Sequence, residues 1–158
     1  MKRKLALVAG TAAALTLAAT AQATATPPVG LKSELLVRSA AGQFQLADRS
    51  MRFYLGAGEP TDIALVRATL EPGGSTGWHT HPGPSMVLVG EGAMTVQEQR
   101  RGKCVTHSVS AGNAIEHPDG AHNFINNGTT QVVFYVTYFV KAGATPLLVD
   151  AATPRGCS

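Results

Sequence analysis

His79 and His81 are the residues whose spacing points most directly to chemistry. They stand two apart in the extended segment Trp78-His79-Thr80-His81. Residues i and i+2 of a strand share a face, so both imidazoles point the same way and Thr80 points away. On an inward face their lone pairs converge on one ion. His122, at the start of the segment His122-Asn123-Phe124-Ile125-Asn126, is the candidate third ligand from a neighbouring strand. Imidazole nitrogen suits Fe, Zn, Cu and Ni. The plainer alternative is two surface histidines beside the proline turn Pro82-Gly83-Pro84.

Other candidates surround these three. Glu116 precedes His117 and Pro118 at a predicted strand end, and is a candidate extra ligand or base. Its alternative is a hydrogen-bonded rim residue. His117 has the opposite parity, so at most one of the two faces inward. His107 shares parity with Val105 and Val109 and reads as a core or edge histidine. Trp78 flanks the histidine strand and reads as packing. No Ser/His/Asp nucleophile set and no Gly-x-Ser-x-Gly elbow is present. Gly73-Gly74 lacks the Lys and the following helix that a phosphate loop needs. No catalytic residue is therefore assigned.

The elements that must position these side chains read as strands and turns. Glu34–Ser39 is short and β-rich, and Phe44–Leu55 is ambiguous. Gly56-Ala57-Gly58-Glu59-Pro60 reads as a break, Thr61–Leu70 as a strand and Glu71–Ser75 as a turn. Shorter segments follow up to Thr129–Val140, each closed by Gly, Asn or Pro. Arg100-Arg101-Gly102-Lys103 reads as a solvated hairpin turn. Thr129–Val140 is apolar on both faces, which predicts cover from the core on one side and from a tail or partner on the other. Nine or ten short strands without a convincing amphipathic helix imply an all-β sandwich or barrel.

The chain has 158 residues, room for one domain, and no internal repeat. Lys2, Arg3 and Lys4 precede an apolar run from Leu5 to Ala19, then Ala21-Gln22-Ala23-Thr24-Ala25. That order reads as a signal peptide over 1–25, cleaved after Ala23 or Ala25. The alternative, a membrane anchor, fits a run this short and this rich in Ala and Thr less well. The mature domain is then 26–158, secreted or periplasmic, with no stable membrane anchor. Of 13 basic residues three lie in the leader, so ten basic and ten acidic residues leave the mature chain uncharged overall. The sequence pI of about 9.1 gives no support for nucleic-acid binding. Cys104 and Cys157 are an even pair in an exported chain and suggest a disulfide, the alternative being two free thiols or surface cysteines.

Two longer patterns resemble the cupin superfamily. Gly73-x5-His79-x-His81-x3-Ser85-x6-Gly92 resembles its first motif, and Gly112-x5-Pro118-x-Gly120-x-His122-x3-Asn126 its second. Nineteen residues separate them. The motif core is about 61–140, followed by a tail over 141–158, and TGWHTHPGP is similar to small exported bacterial single-domain cupins. The resemblance implies a jelly-roll β-barrel with a metal inside it. It also implies Asn126 as a turn brace. Two departures stand out: Ser85 occupies the place where the family pattern has Glu, and the second motif is one residue short before His122. The ligand set that carries over is His79, His81 and His122.

Without the carboxylate a divalent site keeps a charge of +2 and an extra open position. It favours substrates that bring anionic oxygens. The expected cofactor is one divalent transition metal (Fe, Mn, Zn or Cu). The expected function is an exported metal-binding cupin, dioxygenase-like towards a small enediol, phenol or diketone. A Lewis-acid isomerase is the next reaction. The alternatives are a non-catalytic metal- or ligand-binding module and a metal-free structural cupin. Export puts Zn, Cu and Mn beside Fe. A homodimer is a further expectation.

Overall fold

The computed structural model describes residues 25–117 and 120–157. The signal peptide read over residues 1–25 lies, up to residue 24, outside them. The described residues contain no helix, and none is therefore long and apolar enough to cross a membrane. The elements are β1 (Val29–Asp48), β2 (Phe53–Ser75), β3 (His79–Thr80), β4 (Ser85–Glu91), β5 (Ala93–Arg100), β6 (Lys103–Ser110), β7 (Ala114–His117), β8 (His122–Ile125), β9 (Val132–Lys141) and β10 (Val149–Asp150). They pair antiparallel in the order β10-β3-β8-β2-β9-β4-β7, with β1 on β2 and with β5 between β8 and β6. The result is an all-β jelly-roll barrel, nearly closed.

Alternation builds the interior. On β4, Ser85, Val87 and Val89 are buried while Met86 and Leu88 are exposed. On β5, Met94, Val96 and Glu98 are buried. Val132, Phe134, Val136, Tyr138 and Val140 of β9 fill the same core with Leu70, Ile115 and Phe124. Each such aliphatic or aromatic side chain contributes roughly 1.5–3 kcal/mol by leaving water. The other face of β9 is only partly open: Phe44 of β1 brings its ring to 6.5 Å from Phe139. The chain's own first strand thus supplies part of the cover that the doubly apolar pattern predicts.

The N-terminal region departs from the sequence reading. Gly56–Pro60 is no break, and one continuous hairpin joins β1 to β2. The chain reverses instead at residues 49–52, where Asp48 Oδ1 accepts from Ser50 Oγ at 2.6 Å and from Met51 N at 2.9 Å. Register shifts near Gly42 absorb the irregular residues, and Pro60 falls where β1 leaves it unpaired. A proline lacking its N–H is tolerated at such a bulge. Glu71–Ser75 likewise continues β2 rather than leaving the sheet. The turn at Arg101-Gly102 follows the reading, with φ of 51° and 75° in a two-residue hairpin.

Candidate metal centre

Gly77 sets the entry to β3. Its φ is +67°, and a Cβ there would collide with the Thr26 carbonyl. The chain then runs extended through His79, paired to His122 on β8 and to Asp150 on β10. His79 and His122 are each 2% exposed. The three histidines share a second feature. His79 Nδ1 lies 2.9 Å from Gly77 O, His81 Nδ1 2.8 Å from Leu147 O, and His122 Nδ1 3.2 Å from Gly120 O. A carbonyl oxygen only accepts, so each Nδ1 carries the ring proton and each Nε2 keeps its lone pair. The potential ligand atoms of His79, His81 and His122 lie within 4.8 Å of one another, and the Nε2 atoms of His81 and His122 are 3.1 Å apart. Ligands at about 2.1 Å from one ion and at near right angles stand about that far apart. Orientation of a metal-binding imidazole by a carbonyl on its other nitrogen is the usual outer-shell arrangement. The donor set fits a divalent transition metal.

Burial keeps these rings neutral. Desolvation lowers His79 from 6.5 to about 4 and His122 from 6.5 to about 2, with neighbouring imidazoles adding to the effect. His81 is lowered by the same cause, partly offset by its bond to Leu147 O. Lone pairs are therefore available to a cation at neutral pH.

The structure separates Glu116 from His117. Glu116 faces outward and lines a surface groove with Arg100 and His107, so it is not brought to the three histidines. His117 is 4% exposed and stacks on His122, ring centroids 4.2 Å apart and 10° between planes. It lies directly across from Ser85, which in turn lies across from Tyr138 of β9. His117 Nε2 and Ser85 Oγ are both buried without a hydrogen-bond partner among the described residues. Burial holds His117 down to about 4, and raises the Tyr138 phenol to about 12, so that Tyr138 remains a neutral donor. Glu98 is the residue that sequence reasoning missed. It is buried on β5, opposite His122, with Arg100 Nε at 2.9 Å and His107 Nδ1 at 3.8 Å from its Oε1. Its parity with Met94 and Val96 was the available signal. Asn126 is fully buried and braces a turn: its Nδ2 donates to Leu70 O and Thr130 O, and its Oδ1 accepts from Gly128 N.

The family model described as "Cupin domain" matches residues 66–138, a span that holds all three histidines and the barrel around them. Over that span the chain is similar to a cupin domain. One solved structure agrees in fold, and a second is similar in sequence over a comparable share of the chain. An oxalate decarboxylase variant from Bacillus subtilis is 18% identical with a TM-score of 0.51, over 56% of this chain and 24% of that one. An oxalate oxidase in complex with the substrate analogue glycolate is 26% identical with a TM-score of 0.49, over 55% of this chain and 45% of that one. The chain thus spans less than half of either protein. No curated protein matches the sequence.

Beside His79 and His81 the cupin barrel holds a cavity of about 360 Å³. Part of its wall comes from outside the matched span. Leu31 and Leu35 belong to β1, while Pro146, Leu147 and Leu148 belong to the tail. That tail is fixed along its length. Arg38 donates to Ala144 O, Asp62 accepts from Gly143 N, β10 pairs with β3, and a disulfide joins Cys157 to Cys104 on β6.

Proposed function

We propose that the mature chain, residues 26–158, is an exported cupin that holds one divalent transition metal (Fe, Mn, Zn or Cu) through Nε2 of His79, His81 and His122. The observation that carries this reading is the shared orientation of the three rings, each Nδ1 on a backbone carbonyl and the opposite nitrogens together. Bound there, the metal supplies Lewis acidity and, as iron, oxygen chemistry. The chain's own residues supply the rest. The three imidazoles are neutral donors, so the site keeps its full positive charge and leaves coordination positions to a ligand's oxygens. The apolar wall excludes water beside His79 and His81, and the neutral Tyr138 phenol stands next to His81, ring centroids 4.8 Å apart. We assign a dioxygenase-like reaction on a small enediol, phenol or diketone. Export is supported by the leader sequence and by a disulfide that suits an oxidising compartment.

A second reading is a binding module without turnover. It is favoured by one observation: among the described residues, no carboxylate lines the cavity to serve as a base. Oxygen uptake decides between them. The mature protein, reconstituted with Fe(II) and with Mn(II), is offered catechols, reductone-type enediols and β-diketones in an oxygen electrode. Substrate-dependent uptake that disappears in His81→Ala is the expected result. Retained metal with no uptake against any of them overturns the enzyme reading and leaves the binding module.

A further inference from the structure

The cavity beside the histidines carries a chemical bias of its own. None of its described lining residues is Lys, Arg, Asp or Glu. Its polar groups are Thr76, His79, His81 and Tyr138, with one further hydroxyl, Ser33, on the β1 wall. Thr76 Oγ1 is already engaged, accepting from Phe124 N at 2.9 Å. Away from these groups the wall is aliphatic and aromatic, from Leu31, Leu35, Val87, Phe134, Val136 and Leu148. Leu35 is 54% exposed and marks the mouth. A volume of about 360 Å³ is near the lower end for ligand pockets, with room for a ligand of about a dozen non-hydrogen atoms.

We infer that the site takes an amphiphilic ligand, with one compact oxygen head on the metal and an uncharged apolar body in the cavity, and that it rejects ligands carrying a second charge. The inference rests on the metal reading above. A chelating enolate, catecholate or hydroxyketone places its only charge against the ion. A second carboxylate on the body would lie in an apolar wall with no cation to meet it, and an unpaired buried charge is strongly unfavourable. Part of the discriminating wall, Leu31, Leu35 and Leu148 among it, comes from β1 and the tail, outside the 66–138 span. The family core therefore holds the metal, and the terminal segments share with it the choice of ligand.

The test is binding, not turnover. Mature protein is loaded with Co(II), and its metal content is measured before any ligand is added. It is then titrated with 4-tert-butylcatechol, with 3,4-dihydroxybenzoate and with malonate, following the visible Co(II) bands. The first two share a head and differ in the charge of the body. At least tenfold tighter binding of 4-tert-butylcatechol is expected, with malonate weaker still. Leu35→Lys, at a half-open position that tolerates a polar side chain, should narrow or reverse that ratio. Equal binding of the two catechols, tight binding of malonate, failure of both catechols to bind, or an unchanged ratio in Leu35→Lys overturns the inference while leaving the metal site standing. Failure to take up Co(II) is read separately, in the first measurement, and removes the metal reading and this inference together.

Discussion

Ser85 stands where the cupin pattern has a carboxylate, and the structure shows what surrounds that exchange. Its hydroxyl is buried and without a partner among the described residues, directly across from His117 on one side and Tyr138 on the other. Ser85→Glu restores a carboxylate to that row. Without metal a buried charge is costly, so the melting temperature should fall; with metal the charge is compensated and binding should tighten at least tenfold. Calorimetric titration with and without Zn(II) checks both, and an unchanged metal affinity would place position 85 out of reach of the ion. His117 supports a second prediction. Its folded value near 4 lies below the ordinary 6.5, so the unfolded chain binds more protons at low pH. Its contribution is whole above pH 6.5 and is lost as pH falls through 4, and His79 follows the same course. His117→Leu removes both an orphaned nitrogen and this penalty. The variant should gain melting temperature relative to the parent at pH 5 more than at pH 7.5, and a gain equal at both would contradict the assignment. Much of this was legible in advance: the HxH spacing and parity put His79 and His81 on one face. The choice between Glu116 and His117 was not, because parity says only that one of them points in; pairing with β4 decides which.

At the scale of elements, the tail links the disulfide to the three-histidine cluster. Leu147 O orients His81, Asp150 pairs with His79, Gln99 reaches Arg155 O, and Cys157 is bonded to Cys104. A closed loop with a sequence separation of 53 contributes up to about 4 kcal/mol in the chain-entropy view. The double variant Cys104→Ser, Cys157→Ser should melt earlier. It should also bind metal about tenfold more weakly, since outer-shell partners of ligating histidines carry effects of that order. A lower melting temperature with unchanged metal affinity would show a tail that only stabilises. The even cysteine count pointed to the bridge. Nothing in the sequence tied it to His81, because the Leu147 carbonyl is a backbone atom that any residue could supply. The β1–β2 hairpin was hidden for a similar reason: its Gly and Pro residues mimic a linker until bulges accommodate them.

At the scale of the whole molecule, strand count and alternation were enough for an all-β sandwich or barrel, since period-two burial is written in side chains, and the resemblance of the two histidine-bearing motifs to cupins narrowed that to a jelly roll. The terminal segments were not legible in this way, and they supply part of the cavity wall. Among the described residues β1 pairs only with β2, which leaves its other edge free, and its neighbourhood exposes Leu36, Val37, Leu46, Met51 and Tyr54. Free edges with apolar side chains pair readily. The expected homodimer should use this surface and give a dimer mass in light scattering; a monomer mass at working concentration would contradict it. The central claim is the three-histidine metal site. Elemental analysis of untagged mature protein, beside the triple variant His79→Ala, His81→Ala, His122→Ala, tests it most directly. Near one equivalent of a single transition metal, lost in the variant, is the predicted result. No metal in the parent even after reconstitution, or the same content in the variant, would contradict the account.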